Sequence, residues 1–164
     1  MPQEFDKFKT NPEKATSRVA INGVMLASLF VVLTVIFLEP ETFDILVVAQ
    51  MMLAIPFLFV SSLAYAKIGY WKQIRLWDIF GYFTNTLGNM LVVNATGLMV
   101  SKISIFVSFT YFVITITLLL IYSIINIVYI KETYQVKILK FLFSTLILFL
   151  GGILPLFIGH EFFN

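Results

Sequence analysis

This chain of 164 residues has one histidine, no cysteine and a scatter of carboxamides and hydroxyls with which to do chemistry. His160 stands beside Glu161, a pairing that could ligate a metal or exchange a proton. Neighbours in sequence do not face each other on a helix, however, and no second ligand lies close by, so a solvated terminus is expected there. Asp78, next to Trp77, reads as a helix cap. The missing cysteines exclude disulfides, thiolate metal sites and thiol nucleophiles. The serines lack the Gly-x-Ser-x-Gly setting of a hydrolase nucleophile. No catalytic residue, metal ligand or cofactor-binding residue is therefore expected, and no cofactor.

Neutral polar groups carry what chemistry remains: Gln50, Asn85, Asn89, Thr96, Ser108, Thr115, Tyr122 and Asn126. Their setting is apolar, because 60% of the chain is hydrophobic and only 12% is charged. A soluble domain of this size has no core large enough to hide that much apolar surface, so the composition reads as membrane protein.

Five apolar stretches follow one another, at about 20–38, 45–66, 79–100, 103–130 and 138–158. At 1.5 Å per residue each can cross a hydrocarbon core of roughly 30 Å. They lack period-two alternation and are too long for barrel strands, so the expected fold is all-α: a polytopic membrane helical bundle with five transmembrane helices. Residues 1–18 form a charged cytoplasmic tail and 19–164 a single bundle, with Asn11 and Pro12 placed to start a helix. Ser101 and Lys102 separate the third and fourth stretches and predict a tight hairpin. A four-span alternative would make residues 79–100 re-entrant.

Charge placement sets the orientation. With five spans, Lys7, Lys9, Lys14, Arg18, Lys67, Lys72, Arg75, Lys131, Lys137 and Lys140 share one side, and only Lys102 lies on the other with Glu39, Glu41, Asp44 and Glu161. Basic loops stay in the cytoplasm, which puts the N-terminus inside and the C-terminus outside, in the plasma (cytoplasmic) membrane. Residues 66–78 hold both tryptophans among basic residues, and Trp71, Lys72, Arg75 and Trp77 are expected to anchor a short interfacial helix to headgroups.

Helical spacing sorts the polar residues into stripes. On the third span Gly81, Asn85, Gly88, Asn89 and Thr96 project within about 100° of one another, and Asn94 points the opposite way. Ser104, Ser108, Thr115, Tyr122 and Asn126 align on the fourth; Gln50, Ala54, Ser61 and Tyr65 on the second; Ser144, Gly151, Pro155 and Gly159 on the fifth. Two carboxamides in lipid would leave several donors and acceptors unpaired, so the third span must turn its stripe to protein or water. Such stripes hold helices together, and they also suit a hydrated cavity formed by Gln50, Asn85, Asn89 and Asn126. No span carries an ionisable group at its middle, which argues against proton relays, voltage sensors and retinal binding.

The expected function is non-enzymatic: a pathway for a small polar solute or ion, or an accessory subunit of a membrane complex. The alternatives are a lipid- or quinone-like ligand held among the aromatic residues, and a lipid-modifying enzyme. Expected partners are membrane lipid, a small solute, and a second copy of the chain or another membrane subunit. Nucleic acid is not among them, since the basic residues sit in short loops rather than on one face.

Overall fold

A computed structural model of the chain describes residues 12–70, 75–129 and 134–162. Every regular element among them is helical: α1 (Pro12–Leu38), a 3₁₀ turn (Pro40–Thr42), α2 (Ile45–Tyr70), α3 (Arg75–Ser101), α4 (Ile105–Tyr129), α5 (Tyr134–Leu148), a π-helical segment (Phe149–Ile153) and α6 (Leu154–Phe162). Four helical stretches are long and apolar enough to cross a membrane: Ala15–Leu38, Ile45–Ile68, Ile105–Asn126 and Lys137–Ile158, the last running through α5, the π segment and α6. They mark an integral membrane protein. The outer faces agree, since Phe30, Val31, Phe106 and Leu118 are all exposed, Phe106 by 78%, and a soluble monomer does not leave so much contiguous apolar surface in water.

α3 matches the others in length, with 27 residues, but its three asparagines and its threonines make it less apolar. From Gly81 to Ser101, all the same, none of its residues is fully exposed.

Hydroxyls on the outer faces bond to their own helix. Ser28, Thr34, Thr110 and Thr117 each donate to the carbonyl four residues back, at 2.8–3.0 Å. A hydroxyl satisfied in this way can face lipid without leaving a polar group unpaired.

The chain divides into two compact units. The first combines the described residues up to Thr42 with Met51–Asn89. Here α1 buries Ala15, Asn22, Leu29 and Ile36, a seven-residue repeat. α2 buries Met51, Ala54, Leu58, Ser61, Tyr65 and Ile68, alternating steps of three and four. That spacing keeps one narrow seam facing a neighbour, as in left-handed helix packing. Gly88 of α3 lets Leu58 come so near that a Cβ would stand 2.7 Å from Leu58 Cγ.

The second unit takes Phe43–Gln50 and Met90–Asn164. The expected α3–α4 hairpin is present: Ile103 N and Ser104 N both donate to Val100 O at 3.0 Å, and Ser104 Oγ accepts from Val107 N, capping α4. Phe112 of α4, fully buried, fills the space left by Gly97 of α3 and Gly152 of the π segment. Lys137, buried at the start of α5, donates from Nζ to Asn126 O in the last turn of α4 at 2.7 Å, where a cation meets the negative end of the helix.

Two details differ from expectation. Residues 66–70 continue α2 and residues 75–78 open α3, so they are turns of the long helices rather than parts of a separate interfacial helix. Lys67 favours that continuation by placing a positive charge in the last turn of α2. Asp78 lies inside the first turn of α3 rather than ahead of it as a cap.

Candidate functional site

Pro155 has no N–H, so the carbonyl of Gly151 lacks the donor that an α-helix would supply four residues on. The helix is already opened at this point, because Leu154 N–H reaches back five residues to Phe149 O. A side chain of α2 supplies the missing donor: Gln50 Nε2 bonds to Gly151 O at 2.6 Å. One turn earlier, Asn94 of α3 donates from Nδ2 to Ile147 O at 3.0 Å. Both carboxamides thus gather at one irregular turn of a helix that is otherwise apolar. Space for them comes from the glycines: a Cβ on Gly151 would stand 3.3 Å from Asn94 Cγ and 3.7 Å from Gln50 Nε2.

These two bonds fix how each carboxamide is turned. Of a carboxamide's two polar atoms only the nitrogen can donate to a backbone carbonyl, so the nitrogens face Gly151 O and Ile147 O, and Asn94 Oδ1 lies toward Gly152, 2.7 Å from where a Cβ there would stand. Gln50 is 5% exposed and Asn94 0%. Gln50 Oε1 and Asn94 Oδ1 are both buried and, among the described residues, neither has a hydrogen-bond partner. Thr145 Oγ1, on α5 two residues before Ile147, is also buried and unpartnered among them. A buried acceptor left without a donor costs about 1–3 kcal/mol, so each of these oxygens marks a place where burial is not repaid by a bond among the described residues.

The chain matches no protein-family model, no characterised protein sequence and no solved structure.

Of the residues singled out in sequence, Gln50 lies in this turn. Ser108, also in the second unit, is buried and donates to Gly97 O at 2.7 Å, joining α4 to α3. Thr96 and Thr115 bond to their own helices, at Val92 O and Tyr111 O. Tyr122 is 63% exposed. Asn126 contributes its backbone carbonyl to Lys137. The stripe on α4 is therefore not one continuous contact face.

Asn85 belongs to a different cluster, in the first unit. Ser61 Oγ sits 3.0 Å from Gly81 O and 3.4 Å from Asn85 Oδ1, and accepts from Asn22 Nδ2 at 3.3 Å. Its single proton goes to Gly81 O on distance. Asn89, half-buried, keeps Oδ1 buried without a partner among the described residues.

Sequence reasoning missed Asn22 and gave Asn94 no role in a site. The signal for Asn22 was its place in the seven-residue repeat Ala15, Asn22, Leu29, Ile36. For Asn94 it was the pair of polar faces on α3, which requires cover on both sides. Arg18, assigned to the tail, is in α1: Nη1 donates to Tyr65 OH at 2.5 Å, lies 3.7 Å from Asp78 Oδ1, and the guanidinium stacks 4.7 Å from the Tyr65 ring centre. Arg75 is the first residue of α3 and Trp77 is 41% exposed in its first turn. Trp71 and Lys72 lie outside the described residues. His160 and Glu161 fall in the last turn of α6. Among the described residues no three acidic, histidine or cysteine side chains gather to hold a metal.

Proposed function

We propose that this is a non-enzymatic, five-span protein of the cytoplasmic membrane, N-terminus inside, whose neutral polar interior binds a small polar solute or monovalent ion and passes it across. The observation that carries the reading is α3. Its residues from Gly81 to Ser101 are nowhere fully exposed, yet Asn89 and Asn94 hold side-chain oxygens that are buried and unpartnered among the described residues. Helix packing alone would have used those acceptors. Irregular backbone within a membrane segment, such as the turn at Phe149–Ile153, is tolerated where protein covers it or where it borders a polar cavity. α3 counts as the fifth span in this reading because cover by other helices, rather than its own apolarity, lets it cross. The charge asymmetry of the loops supports the orientation.

The test is flux into liposomes holding the purified chain, with small neutral polar solutes and alkali cations offered in turn. Wild type should conduct at least one of them, and Asn85→Leu with Asn89→Leu should abolish that flux while expression and helical content hold. Wild-type liposomes no leakier than empty ones, across the whole panel, would overturn the pathway.

A further inference from the structure

We infer that Arg18 and Asp78, at the end of the first unit that the orientation above turns to the cytoplasm, bind the headgroup of a zwitterionic phospholipid carrying a primary ammonium. Arg18 takes the phosphate and Asp78 the ammonium. The site stands whether or not the chain passes a solute.

Position comes first. Arg18 is the fourth residue of the apolar stretch Ala15–Leu38, Tyr65 the fourth from the end of Ile45–Ile68, and Asp78 the fourth of α3. At 1.5 Å per residue all three lie about 4.5 Å in from the same end, a depth from which a long basic side chain reaches the headgroups. The guanidinium is already set in place there, stacked 4.7 Å from the Tyr65 ring centre with Nη1 donating to Tyr65 OH.

Neither charge is satisfied by this arrangement. Arg18 Nη1 and Asp78 Oδ1 are 3.7 Å apart, beyond hydrogen-bond reach, so the two attract without bonding. An ion pair serving only to tie α1 to α3 would close to bonding distance. A guanidinium has five N–H donors, and among the described residues Arg18 uses one, on Tyr65; no hydrogen bond to the Asp78 carboxylate forms among them. Both side chains are partly exposed, Arg18 by 26% and Asp78 by 40%, so a group that reaches one can reach the other.

The ligand class follows from the order of charges. The free edge of a guanidinium forks onto two phosphate oxygens, and an ammonium donates to a carboxylate in a charge-assisted bond. In an ethanolamine headgroup a two-carbon link joins those charges, so one lipid can engage a cation and an anion that stand side by side. A glycerol headgroup would set an uncompensated negative charge against Asp78. A choline headgroup would present methyl groups where the carboxylate needs N–H.

α3 is open to its surroundings at this end and, among its described residues, nowhere else. Leu76, Trp77, Ile79 and Phe80 are exposed, and from Gly81 onward no residue is. The Trp77 and Phe80 rings meet edge to face, 6.4 Å between centres. They give the glycerol and upper acyl chain an apolar ledge beside Asp78, at the depth where tryptophan settles in a bilayer.

The experiment follows Trp77 fluorescence in the full-length chain carrying Trp71→Phe, which leaves Trp77 as the one tryptophan. The chain is reconstituted in phosphatidylcholine vesicles, and a rising fraction of the lipid is replaced by phosphatidylethanolamine, phosphatidylglycerol or phosphatidylcholine brominated near the headgroup end of the acyl chain. Bromine quenches the tryptophan it touches, so the curves yield relative binding constants. The ethanolamine lipid should bind about two- to fivefold more tightly than either of the others, the ratio equivalent to one exposed ion pair. Asp78→Asn should invert the order and let phosphatidylglycerol bind best, an inversion that loss of packing alone would not produce. Arg18→Gln should bring the ethanolamine lipid down to the level of choline. Equal quenching by the three lipids with Asp78 in place, or a preference for phosphatidylglycerol there, overturns the proposal, as does an ethanolamine preference that survives Asp78→Asn. Native mass spectrometry of the unmodified chain, with the three lipids at equal mole fraction, needs no variant to fold: an excess of ethanolamine-lipid adducts supports the site, and equal adducts overturn it.

Discussion

Gly152→Ala offers a sharp test of the packing at the irregular turn. The added Cβ would stand 2.5 Å from Phe112 Cε1 and 2.7 Å from both Phe112 Cζ and Asn94 Oδ1. Carbon atoms in comfortable contact are 3.5–4.0 Å apart, so the methyl intrudes by about 1 Å on a ring that is itself fully buried. Phe112 has little room to yield, since Gly97 of α3 packs against the same tip of the ring, closer still. Overpacking of this kind costs about 1–3 kcal/mol. The hydrophobic effect contributes little between helices in lipid, so nearly all of that figure is steric and should be relieved by shortening the ring. Phe112→Leu alone should destabilise by loss of contact. Combined with Gly152→Ala it should cost less than the sum of the two single changes by about 1 kcal/mol, the coupling expected of side chains in direct contact. Gly23 supplies the control, because nothing lies within 4 Å of the Cβ it would gain; Gly23→Ala should be neutral or stabilising by up to about 1 kcal/mol. The assay is loss of helical circular dichroism as a denaturing detergent is titrated into mixed micelles. Strict additivity of Gly152→Ala and Phe112→Leu, or a Gly152→Ala chain as stable as wild type, would refute the packing described for this turn.

Ser61→Ala removes the hydroxyl shared by Asn22, Gly81 and Asn85 and should lower stability in the same titration by about 0.5–2 kcal/mol, whereas Ser62→Ala, whose hydroxyl bonds only to Leu58 O of its own helix among the bonds resolved, should change it by less than about 0.5 kcal/mol. Tyr122→Phe, at an exposed position, should also leave unfolding within about 0.5 kcal/mol of wild type; a larger loss would show that the α4 stripe makes a contact after all. The chain has no cysteine, so single cysteines report topology cleanly. A membrane-impermeant maleimide applied to intact cells should label Lys102→Cys, and Lys67→Cys only after permeabilisation; the reverse pattern would invert the orientation proposed above, and labelling of both from one side would remove one span.

Much of the helical layout was readable from apolar run length. The expected stretch 45–66 lies within α2, 79–100 within α3, and the break at Ser101 and Lys102 is the turn between α3 and α4. Helix ends were less legible. The π segment was visible only as a suspicion attached to Gly151, Gly152 and Pro155, because its register depends on donors from Gln50 and Asn94, which lie far away in sequence. The hydroxyls in the polar stripes divide: Ser61 and Ser108 bond across to α3, whereas Thr115 and Ser144 satisfy themselves on their own carbonyls, so alignment along a helix did not tell which of them bonds to a neighbour. Arg18 looked like tail because charge was taken to end the span, but its long side chain lies along Tyr65 and keeps its head near Asp78.

That contrast between hydroxyls and carboxamides gives a rule for which helix must be covered. A serine or threonine in a helix can return its proton to the carbonyl four residues back, as Thr110 and Thr117 do at 2.8 Å, and a helix rich in them can then face lipid. An asparagine has two donors and an acceptor on a rigid plane, and one turn of its own helix does not satisfy all of them. α4, whose polar residues are mostly hydroxyls, leaves Phe106, Leu118 and Val128 exposed. α3 carries Asn85, Asn89 and Asn94, and no residue of it from Gly81 onward is left fully open. Each amide group abandoned in hydrocarbon would cost several kcal/mol, more than any single helix contact returns. In the five-span reading proposed above, covering α3 is thus the dominant constraint on how this chain folds in a membrane. The amide oxygens of Asn89 and Asn94 on α3, and of Gln50 on α2, are still unpartnered among the described residues, and in that reading they are where binding should be sought first.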